Sequence, residues 1–125
     1  IKRFIHNFNK LPKYLQKCIA IENDDKIYNI KDTIELCEKI KVPMVLDYHH
    51  HKCNNGNLNI KDYLERIFNT WKDDIPKIHF STSKDKKNKR SHNDYINVDE
   101  FIAMWFDKDY VHSKVEKDFI AIRKK

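Results

Sequence analysis

One four-residue motif occurs twice in the sequence, about thirty residues apart, and this repeat restricts the fold more than any other feature. Asn-Ile-Lys-Asp occurs at residues 29–32 and again at residues 59–62. Each copy opens a stretch with apolar residues at helical spacing, which runs to a proline, Pro43 or Pro76, and then to a short apolar segment. A helix followed by a short buried strand, repeated at this period, is typical of the units of a parallel sheet. The sequence therefore predicts an α/β fold.

Three short, mainly apolar segments are predicted to be the strands of this sheet. They comprise residues 18–21, 44–46 and 77–80. Such strands suit a sheet that helices cover on one face and a packed interior covers on the other. Further along the chain, we predict a helix over residues 98–106, then a short strand near residues 110–112 and a last helix.

Composition narrows the class of protein. The 125 residues allow one domain, and the single glycine, Gly56, excludes a glycine-rich phosphate loop. The three cysteines form no CxxC pair, which indicates free thiols in a reducing compartment. No apolar run approaches a membrane span and no signal-peptide pattern opens the chain, so we expect an intracellular protein with no membrane association.

Polar residues that can bind a metal stand at the end of each predicted strand. Glu22 follows the first strand, Asp47 and a run of three histidines follow the second, and His79 lies in the third. In α/β folds, ligand-binding groups gather at the carboxyl ends of the strands. Carboxylates and imidazoles together suit manganese, zinc or iron. We therefore expect Glu22, Asp47, His50 and His79 to converge on one site.

Each of these features also has a purely structural interpretation. On an extended chain consecutive residues point to opposite sides, so the histidines at 49–51 cannot all bind one ion, although Asp47 and one or two of them could. The run can instead be a surface histidine run. Residues 22–25 can be a helix-capping turn of solvated acids. Lys77 shares a side of its strand with His79, but it can also extend to solvent. His92, in the loop that follows, indicates nothing by itself.

A basic segment, residues 84–90, lies close to His92. Its basic side chains are Lys84, Lys86, Lys87, Lys89 and Arg90. The segment can be a solvated flexible loop or a contact for nucleic acid phosphates, and the net charge of +6 agrees with a polyanionic partner. Its position on the predicted ligand side favours contact with a nucleic acid backbone.

Four segments of the chain closely resemble motifs of the UV damage endonuclease family. They are IENDD at residues 21–25, VPMVLDYHHH at 42–51, PKIHFS at 76–81 and RSHNDY at 90–95. The resemblance covers about residues 3 to 100. It implies a TIM-like (β/α) barrel with divalent metal ions, usually manganese, at its C-terminal mouth. It also implies an enzyme of DNA repair that nicks damaged double-stranded DNA immediately 5′ to ultraviolet photoproducts.

The resemblance also implies roles for individual residues. Carried over position by position, the metal ligands fall on Glu22, Asp47, His50, His79 and His92. Glu22 would bridge two ions and so take part in catalysis. Lys77 occupies the place of the family's lysine beside the metals and is the second predicted catalytic residue, although it can supply oxygens only if it is carboxylated.

The chain departs from the family pattern in two respects. A full barrel of eight units needs roughly 250 residues, whereas this chain offers about four βα units. We therefore expect residues 1–125 to be the C-terminal portion of such a barrel, inactive without the absent N-terminal half. The family's last glutamate ligand aligns with Ser113, while Glu116 lies nearby in a different register.

Two other functions stay open at the level of sequence. Another metal-dependent TIM-barrel enzyme, such as a sugar isomerase, uses similar sets of carboxylates and histidines. A non-catalytic remnant would bind DNA weakly or not at all. Nicking of irradiated but not undamaged plasmid in Mn²⁺ would separate these functions.

Overall fold

The computed structural model describes residues 1–105 of the chain. The helices and strands are, in chain order, α1 (Lys2–Asn9), α2 (Lys13–Gln16), β1 (Ile21–Glu22), α3 (Ile30–Ile40), β2 (Met44–Asp47), α4 (Tyr48–Cys53), α5 (Lys61–Asn69), β3 (Ile78–His79) and α6 (Val98–Trp105). The strand expected near residues 110–112, the last helix, Ser113 and Glu116 lie outside the described residues. Within residues 1–105, no helix is both long enough and apolar enough to cross a membrane.

The three strands form one parallel sheet in the order β1-β2-β3, which confirms the predicted α/β fold. Glu22 of β1 pairs with Val45 of β2, and Asp47 of β2 pairs with His79 of β3. Each parallel connection passes through a helix, α3 before β2 and α5 before β3. Among the described residues the sheet has three strands, so the expected fourth unit is not confirmed.

Both copies of the Asn-Ile-Lys-Asp motif lie at the N-terminus of a helix, as predicted. The Asn29 side chain accepts hydrogen bonds from the backbone N–H groups of Lys31 and Asp32 at 3.0 and 3.1 Å, and the Asp32 carboxylate accepts one from the Asn29 backbone N–H. This reciprocal capping box satisfies N–H groups that have no partner inside the helix. In the second copy, Asn59 accepts a hydrogen bond from the Lys61 backbone at 3.0 Å, just before α5.

The prediction that Pro76 ends the second helix is wrong. Helix α5 already ends at Asn69, and Lys72 then adopts a left-handed conformation with φ of 54°. The Trp71 indole donates a hydrogen bond to the Met44 carbonyl oxygen at 2.6 Å. The chain therefore turns at Trp71, which fastens the end of α5 to the start of β2, and Pro76 only precedes β3.

The hydrophobic core lies between one face of the sheet and helices α3 and α5. Its most deeply buried side chains include Met44, Leu46 and Ile78 from the sheet and Ile34 and Ile67 from the helices. Burying each such side chain contributes about 1.5–3 kcal/mol to folding. Because alternate residues of a strand face opposite sides, this packing directs Asp47 and its neighbours on the adjacent strands to the other face, which we call the open face.

The histidine run lies in a helix, so the prediction of an extended chain after β2 is wrong. The Asp47 side chain accepts a hydrogen bond from the His50 backbone at 2.8 Å and so caps α4 at its first turn. Successive helical residues are rotated by about 100°, which points the three rings in different directions. His49 and His51 are buried, and His50 is half-buried. Only His50 turns toward Asp47.

Candidate metal centre

The register of the sheet brings acidic and imidazole side chains together on the open face. Asp47 and His79 are direct partners across β2 and β3, and Glu22 pairs with Val45, two residues before Asp47 on the same face of β2. The side chains of Glu22, Asp47 and His79 therefore project from neighbouring strand ends. The predicted convergence at the carboxyl ends of the strands is present in the structure.

Three of the predicted ligands form a compact group, which we call the Glu22–Asp47–His50 cluster. Each offers one ligand atom, and these atoms lie within 4.8 Å of one another. Ligands bound at about 2.1 Å from an ion lie at most about 4.2 Å apart, so small side-chain rotations would close the cluster around a cation. Two carboxylates and an imidazole are a donor set that a borderline divalent metal accepts, so these residues fit a metal ion.

The hydrogen bonds around Asp47 and His50 prepare both side chains for such a role. One Asp47 oxygen, Oδ1, caps α4, while Oδ2 lies 3.6 Å from His50 Nδ1. His50 Nδ1 also lies 2.8 Å from the backbone oxygen of Asn23. Because a carbonyl oxygen only accepts hydrogen bonds, Nδ1 carries the proton in this contact, and in the neutral ring the lone pair is on Nε2.

His79 adjoins the cluster. Its Nδ1 lies 2.8 Å from Glu22 Oε2 and 3.8 Å from Asp47 Oδ2. The side chains of His79 and Glu22 are 60% and 41% exposed, whereas that of Asp47 is 6% exposed. The cluster thus has one buried carboxylate at its base and an open side that solvent or a further ligand can reach.

Asn23 is a component of the site that the sequence analysis missed. It is fully buried, its Nδ2 donates to the Asp47 carbonyl at 2.9 Å, and its Oδ1 accepts from the Asp47 backbone N–H at 2.9 Å. The side-chain amide thereby extends the β1–β2 pairing by one step, and its own carbonyl holds His50. An asparagine directly after a strand is the only sequence signal, and it is shared by many ordinary turns.

The acidic stretch after Glu22 also contains a capping turn. The Asp24 carboxylate accepts hydrogen bonds from the backbone N–H groups of Lys26 and Ile27, both at 2.6 Å. Partial burial raises the pKa of Asp24, but the hydrogen bonds from Ile27, Lys26 and Tyr28 outweigh it and leave the pKa below its ordinary value. Residues 22–25 therefore contain both a candidate metal ligand, Glu22, and a capping turn, which is formed by Asp24.

His92 and Lys77 are not among the residues that form the Glu22–Asp47–His50 cluster. The His92 ring packs on the ring of His49, with centroids 4.6 Å apart, and its backbone forms an antiparallel bridge with Ser83. Lys77 directly precedes β3 and is exposed, as in the structural interpretation of this residue. Their assigned roles as metal ligand and catalytic lysine stay predictions.

All five basic residues of the basic segment are exposed. The segment is folded back on itself, because Lys84 N–H donates to the Ser91 carbonyl at 2.7 Å and the Asp85 carboxylate accepts from the Lys87 and Asn88 backbones. Hydrogen bonds from the Asn88 backbone and side chain, and from the Lys87 backbone, lower the pKa of Asp85. The acid is thus directed into the turn, and the lysines face solvent.

The fold and the site define a parallel α/β protein with a candidate divalent-metal centre at the carboxyl ends of its strands. The chain belongs to the family described as UV-endonuclease UvdE, whose family model matches residues 1–121. It is 40% identical over 121 residues to a UV DNA damage endonuclease of Bacillus cereus and 38% identical to one of Bacillus mycoides. Each match covers 95% of this chain and 37% of the relative.

A solved structure supports the same relationship. The crystal structure of SacUVDE matches with a TM-score of 0.78 and 34% sequence identity. The match covers 88% of this chain and 38% of that one. The chain therefore spans well under half the length of the relatives and of the solved structure that it matches.

Proposed function

We propose that this chain is part of a metal-dependent DNA repair endonuclease that nicks damaged double-stranded DNA on the 5′ side of ultraviolet photoproducts. The observation that carries the proposal is the convergence of Glu22, Asp47 and His50 within 4.8 Å, in a chain of this family. The relatives are named UV DNA damage endonucleases. A sugar isomerase is not favoured by these comparisons.

In this proposal, Glu22, Asp47 and His50 hold divalent cations, most suitably Mn²⁺, with His79 and His92 as further ligands. Bound metal ions supply a water of lowered pKa and neutralise negative charge on a departing phosphate oxygen. Glu22 has the most accessible carboxylate of the cluster, with 41% of its side chain exposed, which suits a bridge between two ions. Lys77 would contribute only as a carboxylated side chain.

The proposed DNA contact is the basic segment. Its exposed side chains, Lys84, Lys86, Lys87, Lys89 and Arg90, can reach backbone phosphates and carry no sequence preference. Photoproducts distort the duplex and make it easier to kink, so a lesion can be selected without reading the bases. The enzyme would act wherever the cellular DNA lies.

We further propose that residues 1–125 are the C-terminal portion of the barrel and need the remaining part to cut DNA. Strands β1 and β3 each pair only with β2 among the described residues, which leaves sheet edges for additional strands. The open face exposes Glu22 and His79, which the rest of a barrel would enclose. We expect the 125-residue chain alone to show no incision, and robust lesion-specific cutting by it would overturn this part of the proposal.

The decisive experiment uses a full-length protein that contains this segment. Purified enzyme with Mn²⁺ is incubated with irradiated or undamaged supercoiled plasmid, and nicked circles are counted. We expect nicking of irradiated plasmid only, and a loss of orders of magnitude in His79→Ala. His6→Ala, which changes an exposed histidine of α1, is the matched control.

Three results would contradict the proposal. Equal nicking of both plasmids would remove the lesion specificity. Wild-type rates in His79→Ala, with an unchanged melting temperature, would remove His79 from the site. Failure of the wild-type protein to nick either plasmid in Mn²⁺, while it binds irradiated duplex weakly or not at all, would favour the non-catalytic remnant.

A further inference from the structure

Helix α4 contacts two parts of the proposed site with successive residues. His50 belongs to the Glu22–Asp47–His50 cluster, whereas the preceding residue, His49, contacts the basic segment. His49 is 1% exposed, and its Nε2 lies 3.1 Å from the backbone oxygen of Arg90. Because that oxygen only accepts, Nε2 donates the hydrogen bond. One helix thus holds a candidate ligand and the end of the basic segment.

Two further contacts join the same face of α4 to this part of the loop. Cys53 lies one turn after His49, and its Sγ donates to the Lys89 carbonyl at 3.6 Å. The His92 ring packs against the His49 ring at 4.6 Å. The backbone of residues 89–92 therefore rests on His49 and Cys53.

The other anchor of this part of the loop is weaker. Arg90 Nε lies 3.4 Å from Asp25 Oδ2, but the Arg90 side chain is 58% exposed and that of Asp25 is 27% exposed. Exposed ion pairs contribute little to stability and are screened by salt. The hydrogen bond between His49 and the Arg90 carbonyl is part-buried, and its loss would leave the buried His49 side chain without this partner, so it weighs more. His49 is therefore the main anchor of the segment among these contacts.

We propose that His49 is a positioning residue that fixes the basic segment relative to the metal centre. It binds no metal and touches no substrate in this role. Instead, its hydrogen bond to the Arg90 carbonyl keeps Lys89 and Arg90 in place to meet backbone phosphates of DNA. The part of this inference that concerns DNA rests on the proposed function, whereas the anchoring of the loop does not.

Four variants of a full-length protein that contains this segment test the positioning role of His49. His49→Leu removes the donor and His49→Gln keeps an N–H near the place of Nε2. His49→Asn keeps the amide but shortens its reach, and His51→Leu removes the neighbouring buried ring of the same helix as a control. Hydrogen exchange of the backbone amides in residues 84–92 measures anchoring. Fluorescence anisotropy of a duplex oligonucleotide, titrated from low to moderate salt, measures phosphate contacts.

We expect exchange in residues 84–92 to rise about tenfold or more in His49→Leu and His49→Asn, but to stay near wild type in His49→Gln and His51→Leu. The slope of log affinity against log salt should fall by about 1 in the first two variants, because one phosphate contact is lost. If His49→Leu does not fold, the comparison of His49→Gln with His49→Asn decides the question.

The anchoring role would be overturned if amide exchange in residues 84–92 is unchanged in His49→Asn. It would also be overturned if exchange rises equally in His49→Gln and His49→Asn. A change in exchange without a change in salt slope would overturn the link to phosphate contacts. Absence of any salt-dependent DNA binding by the wild-type full-length protein would count against the proposed function and the DNA part of this inference. If the expected exchange pattern is still present, the anchoring by His49 stands.

Discussion

Replacing Asn23 by alanine should reduce the stability of the sheet and weaken metal binding at the candidate metal centre. The Asn23 side chain makes two hydrogen bonds of 2.9 Å, one to each backbone polar group of Asp47. Alanine keeps the backbone carbonyl that holds His50 but removes both side-chain hydrogen bonds. The Asp47 N–H and C=O would then lie in a buried position without these partners.

The expected size of this effect follows from the burial of the pair. Leaving a buried polar group unsatisfied costs about 1–3 kcal/mol, and Asn23 is fully buried beside an Asp47 that is 5% exposed. Two such groups, with some relaxation, give a loss of about 2–4 kcal/mol in the free energy of unfolding. For a chain of this size, this lowers the melting temperature by about 8–16 °C. Disturbing the support of a ligand should weaken Mn²⁺ binding about 10-fold or more.

Urea unfolding followed by circular dichroism measures the first effect, and calorimetric titration with Mn²⁺ measures the second. Asn69→Ala, an exposed position at the end of α5, is the matched control and should change the unfolding free energy by less than about 0.5 kcal/mol. If Asn23→Ala unfolds within that same margin of the wild type, the two hydrogen bonds do not support the sheet as argued. Unaltered Mn²⁺ affinity in a destabilised variant would separate Asn23 from the centre.

Two further predictions concern titratable groups. With a thiol reagent, exposed Cys18 should react first, and Cys53 should react more slowly because burial raises its pKa. Cys37 should react only on unfolding, because burial and, to a smaller extent, the charge of Glu38 raise its pKa to about 12. Rapid reaction of all three thiols would contradict this order. Burial lowers the pKa of His51 below 6.5 in the folded chain. As the pH falls, the unfolded chain therefore binds a proton at this histidine first, and the free energy of unfolding decreases between pH 6.5 and the lower pKa of the folded chain. A His51→Leu chain that loses stability just as steeply in this range would refute the prediction.

Much of the fold and part of the site could be predicted from local patterns. The Asn29 cap and the strand ending at Asp47 follow from short stretches of sequence whose physics is local. The approach of Glu22, Asp47 and His79 follows from the general rule that parallel strands end at one edge of the sheet. These features needed no knowledge of tertiary contacts.

The missed features depend on contacts between distant residues. The Asn23 side chain meets Asp47 only after β1 and β2 have paired, and His49 meets Arg90, which lies 41 residues later in the chain. The histidine run gave no helical periodicity, because its helix is short and is fixed by the Asp47 cap. The early end of α5 likewise depends on the Trp71 indole reaching the Met44 carbonyl.

The two carboxylate oxygens of Asp47 have different partners, which suggests a substitution that changes one contact and keeps the other. Oδ1 holds the first turn of α4, while Oδ2 faces the imidazoles of His50 and His79. An isosteric amide at this position could keep the helix cap through its oxygen and place its uncharged nitrogen where the proposed cation would bind. Under the proposed function, Asp47→Asn is therefore the starting point for an inactive form of native structure in which a DNA complex could be captured uncut.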